Sequence, residues 1–142
     1  MNHETDKSIH WSFWFISIVM LIWNVLGAVN FFVQMNPAML ANYAESERMI
    51  IEGRPLWATA GFALAVFAGA IGCVLLLLKK PFSLYLFCAS LLGVVVVMSH
   101  SLSLGIAYGM GEVLGIILMP ICISVFLIWY SKYSAAKGWL SR

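Results

Sequence analysis

The chain has 142 residues, of which 63% are hydrophobic and only 10% are charged, and its formal net charge is +2. This composition, with a mean hydropathy of +0.95, excludes an ordinary soluble domain, because too few charged residues remain to cover its surface. The small net charge gives no indication of a nucleic-acid partner, which would need a basic patch or stripe.

Four long apolar blocks account for the hydrophobic excess and predict an all-α integral membrane four-helix bundle, a single domain over residues 1–142. A helix needs about 20 apolar residues to cross roughly 30 Å of hydrocarbon, and it satisfies its own backbone polar groups there. The predicted spans cover residues 11–35, 56–78, 82–104 and 111–131. We expect the first block to be a retained span, because its apolar core is too long for a signal peptide.

The first extracytoplasmic loop is predicted to contain a short amphipathic helix over residues 37–53. Asn36 suits the N-cap, Pro37 the first helical position and Gly53 the stop. One face of this helix carries Leu40, Tyr43, Glu47 and Ile50, with Ala44 and Ile51 beside it. Such a helix either rests on the membrane surface or caps the bundle as a lid, and the sequence leaves both open.

Small residues form a row along one face of the second span, and such a row lets a neighbouring helix approach closely. The row consists of Ala58, Gly61, Ala65, Ala68 and Gly72. One use of it would be a homodimer through Gly61, Ala65, Ala68 and Gly72. In the fourth span, Pro120 is expected to produce a kink.

Three amide side chains lie in the first span, where membrane helices seldom keep them. At 100° per residue, Trp23, Gly27, Asn30 and Gln34 share one helical face, and Asn24 lies at the edge of the same arc. We therefore expect the amides to face the interior of the bundle, beside a glycine that permits close packing.

The third span carries a similar polar stripe, which includes Ser90, His100 and Ser101. The topology puts His100 near the depth of Glu112, and ionisable groups inside a membrane are functional candidates. The predicted ligand-binding residues are Asn24, Asn30, Gln34, His100, Glu112 and Arg54. Because a histidine changes protonation near neutral pH, a pair with a carboxylate suits a proton relay. The alternative is structural: Glu112 pairs with Arg54, and His100 bonds a span-one amide.

No enzymatic activity, catalytic residue, metal or cofactor is expected. The segment SHS at 99–101 places two serines next to His100, but adjacent helical residues do not face each other. There is no G-x-S-x-G elbow and no cluster of metal ligands. Cys73, Cys88 and Cys122 all lie within predicted spans, where cysteines usually behave as small hydrophobes.

The basic residues predict the orientation, because cytoplasmic loops of membrane proteins are enriched in them. Six of the eight lie in the two tails or in the turn between spans two and three: Lys7, Lys79, Lys80, Lys132, Lys137 and Arg142. Arg48 and Arg54 lie in the remaining loops. We therefore expect both termini to be cytoplasmic.

Three segments, WNVLGAVNFFVQ, RPLWATAGFALAVFAGAIGCVLLLL and SLLGVVVVM, resemble those of small four-span inner-membrane proteins of proteobacteria. The resemblance extends along nearly the whole chain. The matching positions are Trp23, Asn24, Gly27, Asn30, Gln34, Pro55, Trp57, Gly69, Gly72, Ser90 and Gly93. Many of those proteins are labelled "sugar transporter", so the resemblance implies a location in the bacterial inner membrane and a transport function.

Two functions fit these features. One is a transporter or binder of a small polar solute, held by the polar cluster between spans one, three and four and working as a homo-oligomer. The alternative is a non-catalytic accessory or structural subunit of a larger membrane complex, with the polar and small-residue stripes as interfaces. An open cavity beside the first span would favour the first, and a tightly filled centre the second.

Overall fold

The computed structural model describes residues 8–140, and every regular element in this range is helical. The all-α class predicted from the sequence is thereby confirmed. Four helices are long and apolar enough to cross a membrane: Trp11–Gln34, Leu56–Leu77, Ser83–Ser103 and Met110–Ala136. Large apolar side chains such as Ile22, Val29 and Leu92 are exposed on their outer faces, which suits contact with lipid. These are the helices of a multi-pass membrane protein.

The first loop contains two short helices where the sequence predicts one over residues 37–53. α1 (Trp11–Gln34) is followed by a 3-10 helix, Pro37–Asn42, and by α2, Glu45–Glu52. The Asn36 side chain caps the 3-10 helix by accepting a hydrogen bond from the Ala38 N–H at 3.0 Å. Tyr43 separates the two helices with an extended backbone at φ −88° and ψ 152°. In this position its side chain turns back toward α1.

The last apolar helix changes its winding part-way along. It consists of α5 (Met110–Glu112), a π-helix over Val113–Leu118, and α6 (Met119–Ala136). Pro120 lies two residues beyond the π-helix. Because proline has no backbone N–H and its ring crowds the carbonyl four residues earlier, the preceding turns cannot keep the α-helical pairing. The disturbance expected at Pro120 therefore takes the form of a widened segment.

α3 (Leu56–Leu77) and α4 (Ser83–Ser103) approach closely because glycines lie at their contact. A Cβ atom built on Gly93 would lie only 2.5 Å from the Gly61 carbonyl oxygen. The small-residue row of α3 is used within the chain: Gly61, Ala65, Ala68 and Gly72 are all buried. The possible homodimer through these four residues finds no support, because the face that it requires is already covered within the chain.

The long helices pack in chain order, α1 on α3, α3 on α4, and α4 on α6. We call the end that carries residues 35–55 and 104–109 the loop end, and the opposite end the terminal end. At the terminal end, Phe13 of α1 joins Leu127 and Tyr130 of α6 in one buried core. The rings of Phe13 and Tyr130 stack with their centroids 6.4 Å apart. α1 and α6 thus meet at the terminal end, and a cavity separates them nearer the loop end.

Candidate functional site

A cavity of about 550 Å³ lies between α1, α3, α4 and the last apolar helix, and α2 covers it at the loop end. Glu47, Ile50, Ile51 and Arg54 all line it, because their spacing of three and four places them on one side of α2 and its continuation. The polar side chains of the lining are Asn24, Asn30, Gln34, Tyr43, Glu47, Arg54, Ser90, Ser101, Glu112 and Ser124. The cavity therefore contains five of the six predicted ligand-binding residues.

Arg54 brings a positive charge to the loop end of the cavity. Its Nη1 donates a hydrogen bond to Gln34 Oε1 at 2.9 Å, and its guanidinium lies over the Phe62 ring, 4.9 Å from the centroid. The Nε atom is buried and has no acceptor. Burial lowers the pKa of the Arg54 guanidinium below its usual value, but the group stays charged at any physiological pH. Arg54 and Gln34, both predicted ligand-binding residues, are thus in direct contact.

Asn30 lies on the cavity wall one helical turn from Gln34. The Tyr43 hydroxyl donates a hydrogen bond to Asn30 Oδ1 at 2.5 Å and so ties the loop to α1. Within residues 8–140, the Asn30 Nδ2 group has no hydrogen-bond acceptor, so it is available to a molecule in the cavity.

Glu112 forms a bridge between the last apolar helix and the loop. The Ser46 hydroxyl donates to one carboxylate oxygen of Glu112, and the Gly109 N–H donates to the other at 2.9 Å. In the part of the chain described, no ion pair joins Glu112 to Arg54. The ion pair between Glu112 and Arg54 that the structural alternative requires is therefore not observed. Glu112 instead holds α2 across the loop end of the cavity.

Asn24 has a mainly structural environment, although it also lines the cavity. It is buried, and its Nδ2 donates to the Met20 carbonyl oxygen at 2.9 Å and to Cys73 Sγ at 3.7 Å. Its Oδ1 lies beside Gly69, in the position that a Cβ atom on residue 69 would need. Asn24 therefore joins α1 to α3, and the absence of a side chain at Gly69 makes room for it.

His100 does not belong to the cavity lining. Ser101 faces the cavity, and His100 precedes it by one residue, about 100° away around the helix. The His100 ring is 4% exposed and packs edge-on against Trp57, with ring centroids 5.8 Å apart. Its Nδ1 has no hydrogen-bond partner. The expected meeting of His100 with Glu112 and the amides is thus corrected: α4 turns the imidazole toward α3.

The contributors missing from the predicted ligand-binding residues include Tyr43, Glu47 and Ser46. The sequence did contain a signal for Glu47, because a carboxylate on the otherwise apolar face of an amphipathic helix indicates a polar partner. Nothing in the sequence indicates the bond from Ser46 to Glu112, which joins residues 66 positions apart.

The described residues contain no group of three or more His, Cys, Asp or Glu side chains placed to hold a metal ion. Comparison of the chain with family models, curated proteins and solved structures finds no match. The site must therefore be interpreted from its own chemistry.

Proposed function

We propose that this chain is a membrane protein that binds a small polar solute in the cavity beside α1 and transports it across the bilayer. The observation that supports this proposal is the cavity of about 550 Å³, because its volume lies within the range of roughly 300–1,000 Å³ common to small-molecule sites. Asn30, Gln34 and Arg54 line it at the loop end. Amides and a guanidinium are suitable donors to hydroxyl or carboxylate oxygens.

The same cavity weighs against the alternative of an accessory subunit. A protein that served only to pack against a larger complex would gain from a filled interior, because unfilled space forfeits dispersion contacts along its walls. Residues of α2 line the cavity at one end, and Leu127 of the buried core lines it at the other. Transport would require the cavity to become accessible from each side of the membrane in turn.

We further propose a bacterial inner-membrane location with both termini in the cytoplasm. The support is the resemblance to small proteobacterial membrane proteins and the distribution of basic residues, six of eight on the terminal side. Reporter fusions at residue 142 and within residues 37–53 test the orientation. A cytoplasmic reporter active only in the loop fusion would contradict it.

The binding experiment uses the purified chain in lipid nanodiscs with a panel of sugars and other polar metabolites, and follows the midpoint of thermal unfolding. A solute at 100 times its Kd stabilises the folded state by about 2.7 kcal/mol. We expect Gly115→Phe to abolish the shift, because Gly115 lines the cavity and a Cβ atom there meets nothing within 4 Å. The matched control is Leu114→Phe, at an exposed position outside the lining.

A panel with no stabilising solute, together with one stoichiometric partner recovered from solubilised membranes, would refute solute binding in favour of the accessory role. Equal shifts in the Gly115→Phe variant and the wild-type chain would place the binding outside this cavity.

A further inference from the structure

The polar groups of the cavity are unevenly distributed along its length. Trp23 and Gln34 mark its two ends on α1, and eleven helical residues correspond to about 17 Å. Gln34, Glu47 and Arg54 lie at the loop end. Toward the terminal end, Leu127 of the buried core forms part of the wall. The cavity therefore has one charged end and one end closed by apolar side chains.

The hydrogen-bond donors of Asn24, Ser90 and Ser124 on the deeper wall are already used within the protein. Ser90 Oγ donates to the Ala65 carbonyl oxygen at 2.6 Å, and Ser124 Oγ donates to the Pro120 carbonyl oxygen at 2.8 Å. The Asn24 amide is likewise engaged with α1 and α3. Because Ser90, Ser124 and Asn24 have no donor left for a ligand oxygen and the rest of the deeper wall is apolar, this part of the cavity suits an apolar group better than a polyhydroxylated one.

Arg54 is the charged group of the lining with the most unused hydrogen-bonding capacity. A guanidinium has five N–H donors, and within residues 8–140 only the bond to Gln34 uses one. No carboxylate in the described part of the chain contacts it, and both oxygens of Glu112 already accept hydrogen bonds. A partly buried cation without a bound anion is costly, and a carboxylate matches the guanidinium geometry.

We propose that the solute is an amphipathic monocarboxylate, with its carboxylate on Arg54 and its apolar body along the deeper wall formed by Val66, Val94 and Leu127. This inference rests on the proposed function and names the class of its solute. With one carboxylate on Arg54, the second carboxylate of a dicarboxylate would lie against this apolar wall, where an unpaired buried charge is costly, so a dicarboxylate binds more weakly.

The test compares carboxylates with carboxamides of the same shape, using hexanoate with hexanamide and 4-phenylbutyrate with 4-phenylbutyramide. Glucose, adipate and acetate complete the panel, and the thermal midpoint is followed in nanodiscs. We expect each acid to bind about tenfold or more tightly than its amide, as a charge-assisted hydrogen bond provides. Acetate and adipate bind less tightly than hexanoate, because acetate lacks the apolar body and adipate carries the second charge.

Variants assign the preference to its residue. Arg54→Gln removes the difference between acid and amide, whereas Arg54→Lys retains part of it. Arg48→Gln is the matched control, because it removes the same charge from α2 outside the cavity lining and leaves the preference intact. The comparison of acid with amide on the wild-type chain stands even where a variant folds poorly.

The outcomes separate the two proposals. Equal shifts by acid and amide, or an acid preference that survives in Arg54→Gln, would overturn the carboxylate assignment and leave solute binding in place. Stabilisation by glucose but by no carboxylate would do the same. If no member of the panel moves the midpoint and no sugar or polar metabolite does, the proposed function fails together with this inference.

Discussion

Replacing Gly93 by alanine adds one methyl group at the closest contact between α3 and α4. The new Cβ atom would lie 2.5 Å from the Gly61 carbonyl oxygen, 2.6 Å from the Ala65 amide nitrogen and 3.0 Å from the Ala65 Cα atom. All three are backbone atoms, so no change of rotamer relieves the overlap. The helices must instead move apart or shift along each other.

The expected loss follows from this geometry. Ordinary contact begins at 3.4 Å, which leaves a shortfall of about 0.9 Å for the shortest distance. A separation of that size forfeits roughly a quarter to a half of the dispersion attraction of each affected pair, and overpacking generally costs about 1–3 kcal/mol. Helix propensity returns up to about 1 kcal/mol when glycine becomes alanine. We therefore expect Gly93→Ala to lower the free energy of unfolding by about 2 kcal/mol.

The assay is unfolding by SDS titration in mixed micelles, followed by far-UV circular dichroism. Gly111→Ala is the matched control, because a Cβ atom there meets nothing within 4 Å and Gly111 does not have a positive φ. We expect that variant to be neutral or more stable by up to about 1 kcal/mol. The packing argument is refuted if Gly93→Ala unfolds at the wild-type SDS concentration, or if Gly111→Ala is destabilised to the same extent.

Three other predictions concern the loop and the predicted polar residues. Ser46→Ala removes the hydrogen bond to Glu112, so we expect faster amide hydrogen exchange in residues 45–52. Ser99→Ala is the control and leaves this exchange unchanged, because the Ser99 hydroxyl bonds to a carbonyl of its own helix. Equal exchange rates in the two variants would contradict the bridge between Ser46 and Glu112. Asn24→Ala lowers the free energy of unfolding by about 1–3 kcal/mol in the same SDS titration, because it removes a buried hydrogen-bonding group between α1 and α3. An unchanged SDS midpoint would show that these hydrogen bonds do not stabilise the fold. His100→Gln leaves solute affinity at its wild-type value, since His100 lies outside the cavity lining. A loss of affinity in this variant would show that His100 takes part in binding after all.

The sequence by itself determined the helical class and the four apolar helices. The reason is local: hydrocarbon thickness fixes the length of a span, and the backbone must satisfy its own hydrogen bonds in lipid. Helical periodicity also placed Asn30 and Gln34 on one face of α1, and both line the cavity. The row of small residues correctly indicated close helix packing, but it did not identify the partner helix.

Only the tertiary structure decided which elements meet. Periodicity gives the face of a helix but not its rotation against its neighbours, so the sequence could not show that α4 turns Ser101 to the cavity and His100 to Trp57. Nor could it choose between α4 and a second copy as the partner of the small-residue row. The bond from Ser46 to Glu112 depends on how loop and helix pack across 66 residues of chain, and contacts of that kind arise from the whole packed arrangement rather than from any local pattern.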